Sequence, residues 1–336
     1  TEIKYSIIIP TYNEVSFLED CITSLYENEK IKYSEILIID GGSTDGTVEL
    51  INKLKKEFKN IVYLNNPKRI TPSSLNKGIK KAKGKYIIRL DAHSIYLDNY
   101  LDKAINILSN SSPEVMNVGG HITTKSKNSK IVPEAIAAVL SSIFGVGNSY
   151  FRTKIPEKEV LVETVPFGCF KKEIFNKIGL FNESEHRNED LEFNHRIISA
   201  GYKIILSPQL KSIYFSRENI KRFVSQAFDN GLIVTNKFRS KRFHNLRHYI
   251  PLIFVFFLIF HALTFFLLTD FVHLRLLNSI LLAYIILNIC FSLYLAFKKR
   301  ILRFILVTPF IYFILHISYG IGSLVGIFRA LLVNKK

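Results

Sequence analysis

The chain is poor in cysteine and in acidic residues, and it lacks tryptophan: three Cys, and 28 Asp and Glu against 45 Lys and Arg, in 336 residues. Cys21, Cys169 and Cys290 are widely spaced, which excludes a zinc or dithiol redox motif and fits a reducing compartment. The glycine signatures of the commoner nucleotide folds are also missing. Gly41, Gly42 and Gly46 do not match G-x-G-x-x-G, and no lysine follows them as a P-loop requires. That argues against a nicotinamide enzyme or an ATPase. The apolar run at residues 7–10 is far too short for a signal peptide. Charge is sparse over residues 250–333, where Ile, Leu, Phe and Tyr dominate and bring the mean hydropathy to +0.17.

Residues 250–269 and 276–297 are each long enough to cross a hydrocarbon core of about 30 Å at about 1.5 Å per residue. A third apolar stretch begins near Ile301 and continues through Pro309, Gly320, Gly322 and Gly326. The net charge of +17 therefore has a membrane reading before a nucleic-acid one, and no nucleic-acid partner is expected. Lys237, Arg239, Lys241, Arg242 and Arg247 precede the first run, and Lys298, Lys299 and Arg300 follow the second. Positive residues beside spans mark the cytoplasmic side and are drawn to anionic headgroups. The expected organisation is a cytosolic domain over 1–235, a basic juxtamembrane linker over 236–249, and a membrane domain over 250–336. The last would hold about three transmembrane or re-entrant helices in the inner (cytoplasmic) membrane. Three crossings leave Lys335 and Lys336 outside, whereas a fold-back at Pro309 or at Gly320 to Gly322, or an ending as an interfacial helix, returns them inside.

Strand and helix alternate through the first 95 residues. Residues 6–9 read as a strand ending at Pro10 and the turn Thr11-Tyr12-Asn13-Glu14, before a helix with Leu18, Cys21, Ile22 and Leu25 on one face. A second strand, 35–39, stops at Asp40 and the small-residue loop Gly41-Gly42-Ser43-Thr44-Asp45-Gly46-Thr47, whose backbone can approach a ligand closely. Asp45 is placed to cap a helix that runs to about Phe58. Residues 61–64 form a third strand, Leu75, Ile79 and Ala82 mark a helix, and 86–90 form a buried strand that ends at Asp91. Such alternation predicts an α/β fold with right-handed crossovers and a parallel sheet, with acidic strand ends gathered on one ligand-binding edge. Asp91 and His93 point the same way along an extended chain and both can ligate a metal, although an aspartate that opens a turn is the plainer reading. Carboxylates at strand ends suit a site that hydrogen-bonds a base and ribose and holds a diphosphate through a metal.

Taken together, Ser6-Ile7-Ile8-Ile9-Pro10-Thr11-Tyr12-Asn13-Glu14, the Asp40 to Thr47 loop, Asn76-Lys77-Gly78, Gly84-Lys85-Tyr86 and Asp91 resemble the opening of the family-2 glycosyltransferases, which have the GT-A nucleotide-diphospho-sugar transferase fold. The form Asp91-Ala92-His93, followed by a membrane tail, is similar to the succinoglycan-type exopolysaccharide subgroup. The resemblance implies that Pro10, Thr11 and Glu14 line the nucleoside pocket, that Asp40 meets the base, and that Asp91 meets the ribose and diphosphate. It implies Mg2+ or Mn2+ as cofactor, held by Asp91 and by His93, which stands where most of the family has a second Asp. Hard ions favour oxygen, so an imidazole is the less natural ligand. Lys68 and Arg69 either neutralise phosphate or lie in a solvated loop.

Further along, 115–122 reads as a strand and 131–146 as an apolar helix, belonging to a core or to a membrane interface. Pro166-Phe167-Gly168-Cys169-Phe170 resembles the family's turn at the acceptor sugar, which implies acceptor contacts at Gly168 and Cys169. In His186-Arg187-Asn188-Glu189-Asp190-Leu191, paired carboxylates opening a helix suit the helix dipole. The family's catalytic base is the Asp of such a pair, which implies Asp190 as base and Glu189 positioning the acceptor or the loop. Displacement at an anomeric carbon needs a carboxylate to take the proton from the incoming hydroxyl, and on an α-linked donor it inverts the linkage. Residues 217–237 read as an amphipathic helix, with Gln226 and Gly231 resembling the family's Q-x-x-x-x-G segment on the acceptor side. Processive synthases carry Gln-x-x-Arg-Trp, and a chain without tryptophan favours single additions. The expected activity is metal-dependent inverting transfer of one sugar from a UDP- or GDP-sugar to a polyprenyl-diphosphate-linked saccharide, in exopolysaccharide or other glycan biosynthesis. The lipid-linked acceptor follows from a site facing the cytosol beside a bilayer. Transfer straight to polyprenyl phosphate and a non-catalytic nucleotide-binding membrane partner are the alternatives. The polar segment from His316 to Gly322 either approaches the lipid acceptor or packs small residues between helices.

Overall fold

The computed structural model describes residues 2–184, 189–236, 248–267 and 271–333. The chain divides into two compact units, Thr1–Thr123 with Tyr150–Tyr214, and Thr124–Ser149 with Phe215–Lys336.

The first unit is an α/β fold. Strands β1 (Tyr5–Thr11), β2 (Ser34–Asp40), β3 (Ile61–Asn65) and β4 (Tyr86–Arg89) pair in parallel in the order β3-β2-β1-β4. The sheet also contains β5 (Ser94–Leu97), β6 (Val115–Lys125), β7 (Val160–Leu161), β8 (Cys169–Lys171) and β9 (Lys203–Phe215). Beyond β4 the order continues β8-β6-β9-β5, antiparallel where β4 meets β8, β8 meets β6 and β9 meets β5. β7 pairs β9 off this path.

Burial on both faces explains why β1 and β2 are continuous apolar runs. Ile7 and Ile9 pack with Leu18, Cys21, Ile22, Leu25, Ile51 and Leu54 on one side, while Ile8 packs with Leu75 and Ile79 on the other. β1 also runs through Pro10, where the sequence suggested a stop. The β4 ladder ends at the pair of Ile8 with Arg89, so no strand lies beside Pro10 on that edge to need the N–H that proline lacks. Two of the glycine positions have a steric reason. A Cβ on Gly78 would meet Ile8 Cγ2 at 2.7 Å, so glycine lets the helix Thr71–Lys81 lie against β1. A Cβ on Gly84 would meet the Tyr5 backbone at 2.6 Å.

The second unit is helical: Ile131–Val139, Ile143–Val146, Ile220–Asn236, Ile250–Leu267, Phe271–Lys299 and Phe304–Val333. The helix expected over 131–146 breaks in the middle. The Ser142 hydroxyl donates to the Val139 carbonyl at 2.9 Å and accepts from Gly145 N at 3.0 Å, ending one helix and capping the next. Ala135, Ile136, Ala138 and Val139 pack with Phe223, Ala227, Leu295, Ala296, Phe304 and Tyr312, so residues 131–139 are core of this unit. Two segments, Arg275–Lys299 and Phe304–Leu332, are long and apolar enough to cross a membrane, and Ile250–Phe265 is a shorter apolar helix. The last helix is continuous through Pro309 and through Gly320 to Gly322, so neither fold-back is adopted. The polar segment around Gly320 is a packing seam. A Cβ on Gly231 would lie 2.0 Å from the Tyr319 carbonyl, on Gly322 2.0 Å from the Phe228 carbonyl, and on Gly320 2.3 Å from the Pro251 carbonyl. Backbones meet there because no side chain intervenes. The cations Lys237, Arg239, Lys241, Arg242 and Arg247, most of the expected linker, and Lys335 and Lys336 lie outside the described residues.

Replacing Gly231 or Gly322 by alanine is expected to destabilise the helical unit by about 1–3 kcal/mol through overpacking. A lowered melting temperature of the detergent-solubilised chain checks it, with Leu306→Ala, a position 73% exposed, leaving the melt unchanged.

Candidate active site

Two loops at the carboxyl ends of β1 and β2 are laced together. Asp40, fully buried, accepts from Gly42 N at 2.8 Å and Ser43 N at 3.0 Å through Oδ2, and from the Ser43 hydroxyl through Oδ1. Gly42 takes φ +78°, which glycine adopts without strain. Asn13 ties the loops across: its N donates to Ser43 Oγ and its Oδ1 accepts from Thr44 N, both at 2.8 Å. Glu14 N donates to Thr47 Oγ1 at 2.9 Å, and Asp45 accepts from Val15 N and Thr47 N. Pro10 is half-buried and Thr11 buried at the base of this loop pair, and Arg69 lies over the Tyr12 ring at its edge. Asp40 accepts three hydrogen bonds from its own loop, which leaves its carboxylate about one acceptor site for a base.

The strand β4 delivers Arg89, a residue that the sequence reading left unassigned, to three carboxylates that it had assigned. Arg89 is buried, and its guanidinium reaches three carboxylates: Nη2 to Asp91 Oδ1 at 3.1 Å and Glu189 Oε1 at 2.9 Å, and Nη1 to Asp190 Oδ2 at 3.1 Å. Asp91 and Asp190 come from elements about a hundred residues apart and meet on one cation. Glu189 and Asp190 open the helix Glu189–Ser199, which is anchored by Asn194: its Nδ2 donates to Thr164 Oγ1 and the Val165 carbonyl, and its Oδ1 accepts from Asn117 Nδ2. His186, Arg187 and Asn188, just before that helix, lie outside the described residues. Burial is the main influence on the Asp190 carboxyl and raises it; Glu189 and Asp91 add to the rise, Arg89 opposes it, and the result is about 7.

The turn at Asp91 is held from behind. The Tyr96 hydroxyl accepts from Asp91 N at 2.8 Å and donates to the Asp91 carbonyl at 3.3 Å, and the buried Cys21 thiol also faces that carbonyl. His93 Nδ1 lies 3.0 Å from Glu14 Oε1, and its ring meets Tyr214 edge-on at a centroid distance of 5.0 Å. Burial alone would lower the imidazole; the bond to Glu14, with Tyr214 and Asp91 assisting, overrides it and raises the group to about 9. A carboxylate on one ring nitrogen is the support that metal-binding imidazoles ordinarily have. Asp91 supplies a hard oxygen beside it. Asp91 and His93 would fit a divalent ion that draws its remaining ligands from a diphosphate only once the imidazole gives up the proton that Glu14 favours. Among the described residues no group of three or more His, Cys, Asp or Glu is arranged to hold a metal alone.

Of the other expected residues, Lys68, Cys169 and Gln226 are not brought to this cluster. Lys68 is exposed and pairs with Glu183 at 2.7 Å. Cys169 is wholly buried in the hydrophobic core, so its thiol has no surface to offer an acceptor, and burial raises the thiol. Gly168 contributes its carbonyl, which accepts from Arg89 N at 2.9 Å. Gln226 belongs to the helical unit, on Ile220–Asn236. The residues missed from sequence are Arg89 and Tyr96. A signal for the first was present: an arginine inside a buried apolar strand, two residues before Asp91, must be paired.

The sequence model described as "Glycosyl transferase family 2" matches residues 6–179. A Methanococcus voltae protein named dolichyl N-acetyl-alpha-D-glucosaminyl phosphate 3-beta-D-2,3-diacetamido-2,3-dideoxy-beta-D-glucuronosyltransferase is 31% identical over 233 residues, covering 67% of this chain and 71% of that protein. Succinoglycan biosynthesis protein ExoA of Rhizobium meliloti is 30% identical over 250 residues, 73% of this chain and 74% of that protein. In fold, the chain is similar to the mannosyltransferase PcManGT from Pyrobaculum calidifontis, solved with GDP-Man and Mn2+. The TM-score is 0.58 at 18% identity, over 100% of this chain and 89% of that one. The architecture is thus the GT-A type.

Removing the Tyr96 hydroxyl strands the Asp91 backbone N–H and leaves its carbonyl only the weak Cys21 thiol donor. Tyr96→Phe is expected to cost about 1–3 kcal/mol of stability, read as a lowered melting temperature, while the isosteric ring keeps the core filled.

Proposed function

The chain belongs to glycosyl transferase family 2, and on that premise we propose that it moves one sugar, with inversion, from a UDP- or GDP-sugar to a polyprenyl-diphosphate-linked saccharide, using Asp190 as base. The observation that carries the reading is the shared guanidinium: Asp190 and Asp91 lie on one Arg89. A carboxylate for the acceptor side and one for the donor side therefore belong to one cluster.

Each part of the cluster has work that its chemistry suits. The laced loops after β1 and β2, with Pro10, Thr11 and Glu14, would receive the nucleoside, and Asp40 would shape that pocket by holding the Gly42–Ser43 turn. Asp91 and His93 would hold Mn2+ or Mg2+, which when bound neutralises charge on the diphosphate leaving group. Asp190 Oδ would take the proton from the acceptor hydroxyl as that oxygen meets the anomeric carbon from the side opposite the leaving group. Glu189, bound to the same guanidinium, would keep the base oriented. Gly168, whose carbonyl accepts from Arg89 N, would lie on the acceptor side. A lipid-linked acceptor is supported by the name of the Methanococcus voltae relative, which acts on a dolichyl-phosphate-linked sugar, and by the apolar helices of this chain; the Rhizobium meliloti relative's name supports a role in polysaccharide biosynthesis. With those helices in the inner membrane, the α/β unit would work in the cytosol.

Purified full-length protein, given a panel of UDP- and GDP-sugars with Mn2+ and a polyprenyl-diphosphate saccharide, is expected to form a β-linked product. Transfer only to bare polyprenyl phosphate would replace the proposed acceptor. Asp190→Asn is expected to lower kcat by about 10²- to 10⁴-fold, the usual contribution of a positioned base; unchanged transfer would remove Asp190 from that role. A base must be ionised to accept a proton, and the Asp190 carboxyl is raised to about 7. Activity should therefore fall as pH drops below about 7 and level off above it, in the pH profile of kcat/KM.

A further inference from the structure

We propose that Arg89 is a positioning residue: its planar guanidinium sets the spacing and orientation of Asp91 against Asp190, so that donor-side and acceptor-side groups are held in register. The inference rests on the transferase reading above. Three observations carry it. First, the guanidinium serves the two aspartates through different nitrogens, Nη2 and Nη1, each at 3.1 Å, and a planar fork fixes the directions of both bonds at once. A lysine ammonium could supply the charge but not two fixed directions.

Second, the fork itself is immobilised. Its strand ends here in register with Ile8, and Arg89 N donates to the Gly168 carbonyl at 2.9 Å. The guanidinium carbon lies 5.7 Å from the Phe167 ring centroid, and Nε, buried, has no hydrogen-bond partner among the described residues. Burial is thus tolerated for the sake of the terminal nitrogens alone. Third, the carboxylates are buried only on the inner side. The Arg89 side chain is 6% exposed, but Asp91 and Asp190 keep 20% and 22% of their surface. Three carboxylates against one guanidinium also leave an excess of negative charge, which favours a divalent cation on the open side.

Two variants of the full-length protein test this, Arg89→Lys and Arg89→Ala, assayed with the UDP- and GDP-sugar panel and melted in parallel. Arg89→Lys is expected to lower kcat by about 10- to 100-fold, the scale of an ångström-sized misplacement, with donor KM changed by less than about threefold and the melting temperature near wild type. In Arg89→Ala, guanidinium ion added well below denaturing concentration is expected to restore part of kcat, where the same concentration of methylammonium does not. A kcat for Arg89→Lys within about twofold of wild type overturns the positioning role. So does a loss that follows the unfolded fraction, or one confined to donor KM. If Arg89→Ala does not fold, the split between kcat and KM in Arg89→Lys decides. An active wild type beside an unaffected Arg89→Lys overturns this inference alone, whereas a wild type inactive on every donor overturns the transferase reading with it.

Discussion

A buried guanidinium that cannot lose its charge must be paired, because moving an ion out of water carries a penalty of several kcal/mol unless close opposite charge offsets it. Arg89 meets that requirement with three carboxylates from two distant parts of the chain. The requirement constrains everything nearby. β4 has to end where its last side chain can reach outward, and the helix Glu189–Ser199 has to start with its acidic pair against the strand. The turn after β4 then has to present Asp91 on the same side. Those conditions amount to a description of the site.

The second constraint is the treatment of backbone polar groups in the loops. The turns after β1 and β2 contain many N–H groups that no strand or helix can satisfy. Asp40, Asn13, Asp45 and Thr47 supply the missing acceptors, each from a side chain short enough to fold back on the main chain. Asn76 does the same at long range, donating to the Phe181 carbonyl and accepting from Phe181 N, which fastens the loop that carries Glu183 to the helix Thr71–Lys81. Several residues of the recurring motifs are thus loop-fasteners, and a nucleotide would meet backbone that they have already ordered.

How far the molecule was legible beforehand follows from the range of the interactions involved. The alternation of strands and helices, the inward faces of Leu18, Cys21, Ile22 and Leu25, and the carboxylates at strand ends are local patterns, and the structure agrees with them. The path of β1 through Pro10 was not readable, since it depends on where the neighbouring strand stops. Cys169 looked like part of a small-residue turn, yet the sheet register turns its side chain into the core. The break near Ser142 rests on hydroxyls bonding to backbone within an otherwise helical run, which composition does not reveal. Arg89 was conspicuous as a charge in an apolar strand, but its partners at Glu189 and Asp190 are separated from it by a hundred residues. Pairing at that distance is a property of the fold.

The glycine seam in the helical unit has a mechanical corollary. Where Gly231 faces the Tyr319 carbonyl and Gly322 faces that of Phe228, main chain rides directly on main chain, and the Thr235 hydroxyl donates to the Ser323 carbonyl a turn further on. Flexible side chains normally act as bearings that let packed rods creep past one another; at these two glycine crossings none intervenes. The amphipathic rod Ile220–Asn236 and the apolar rod Phe304–Val333 are therefore held at backbone contact at these crossings, where any added side chain would have to force them apart.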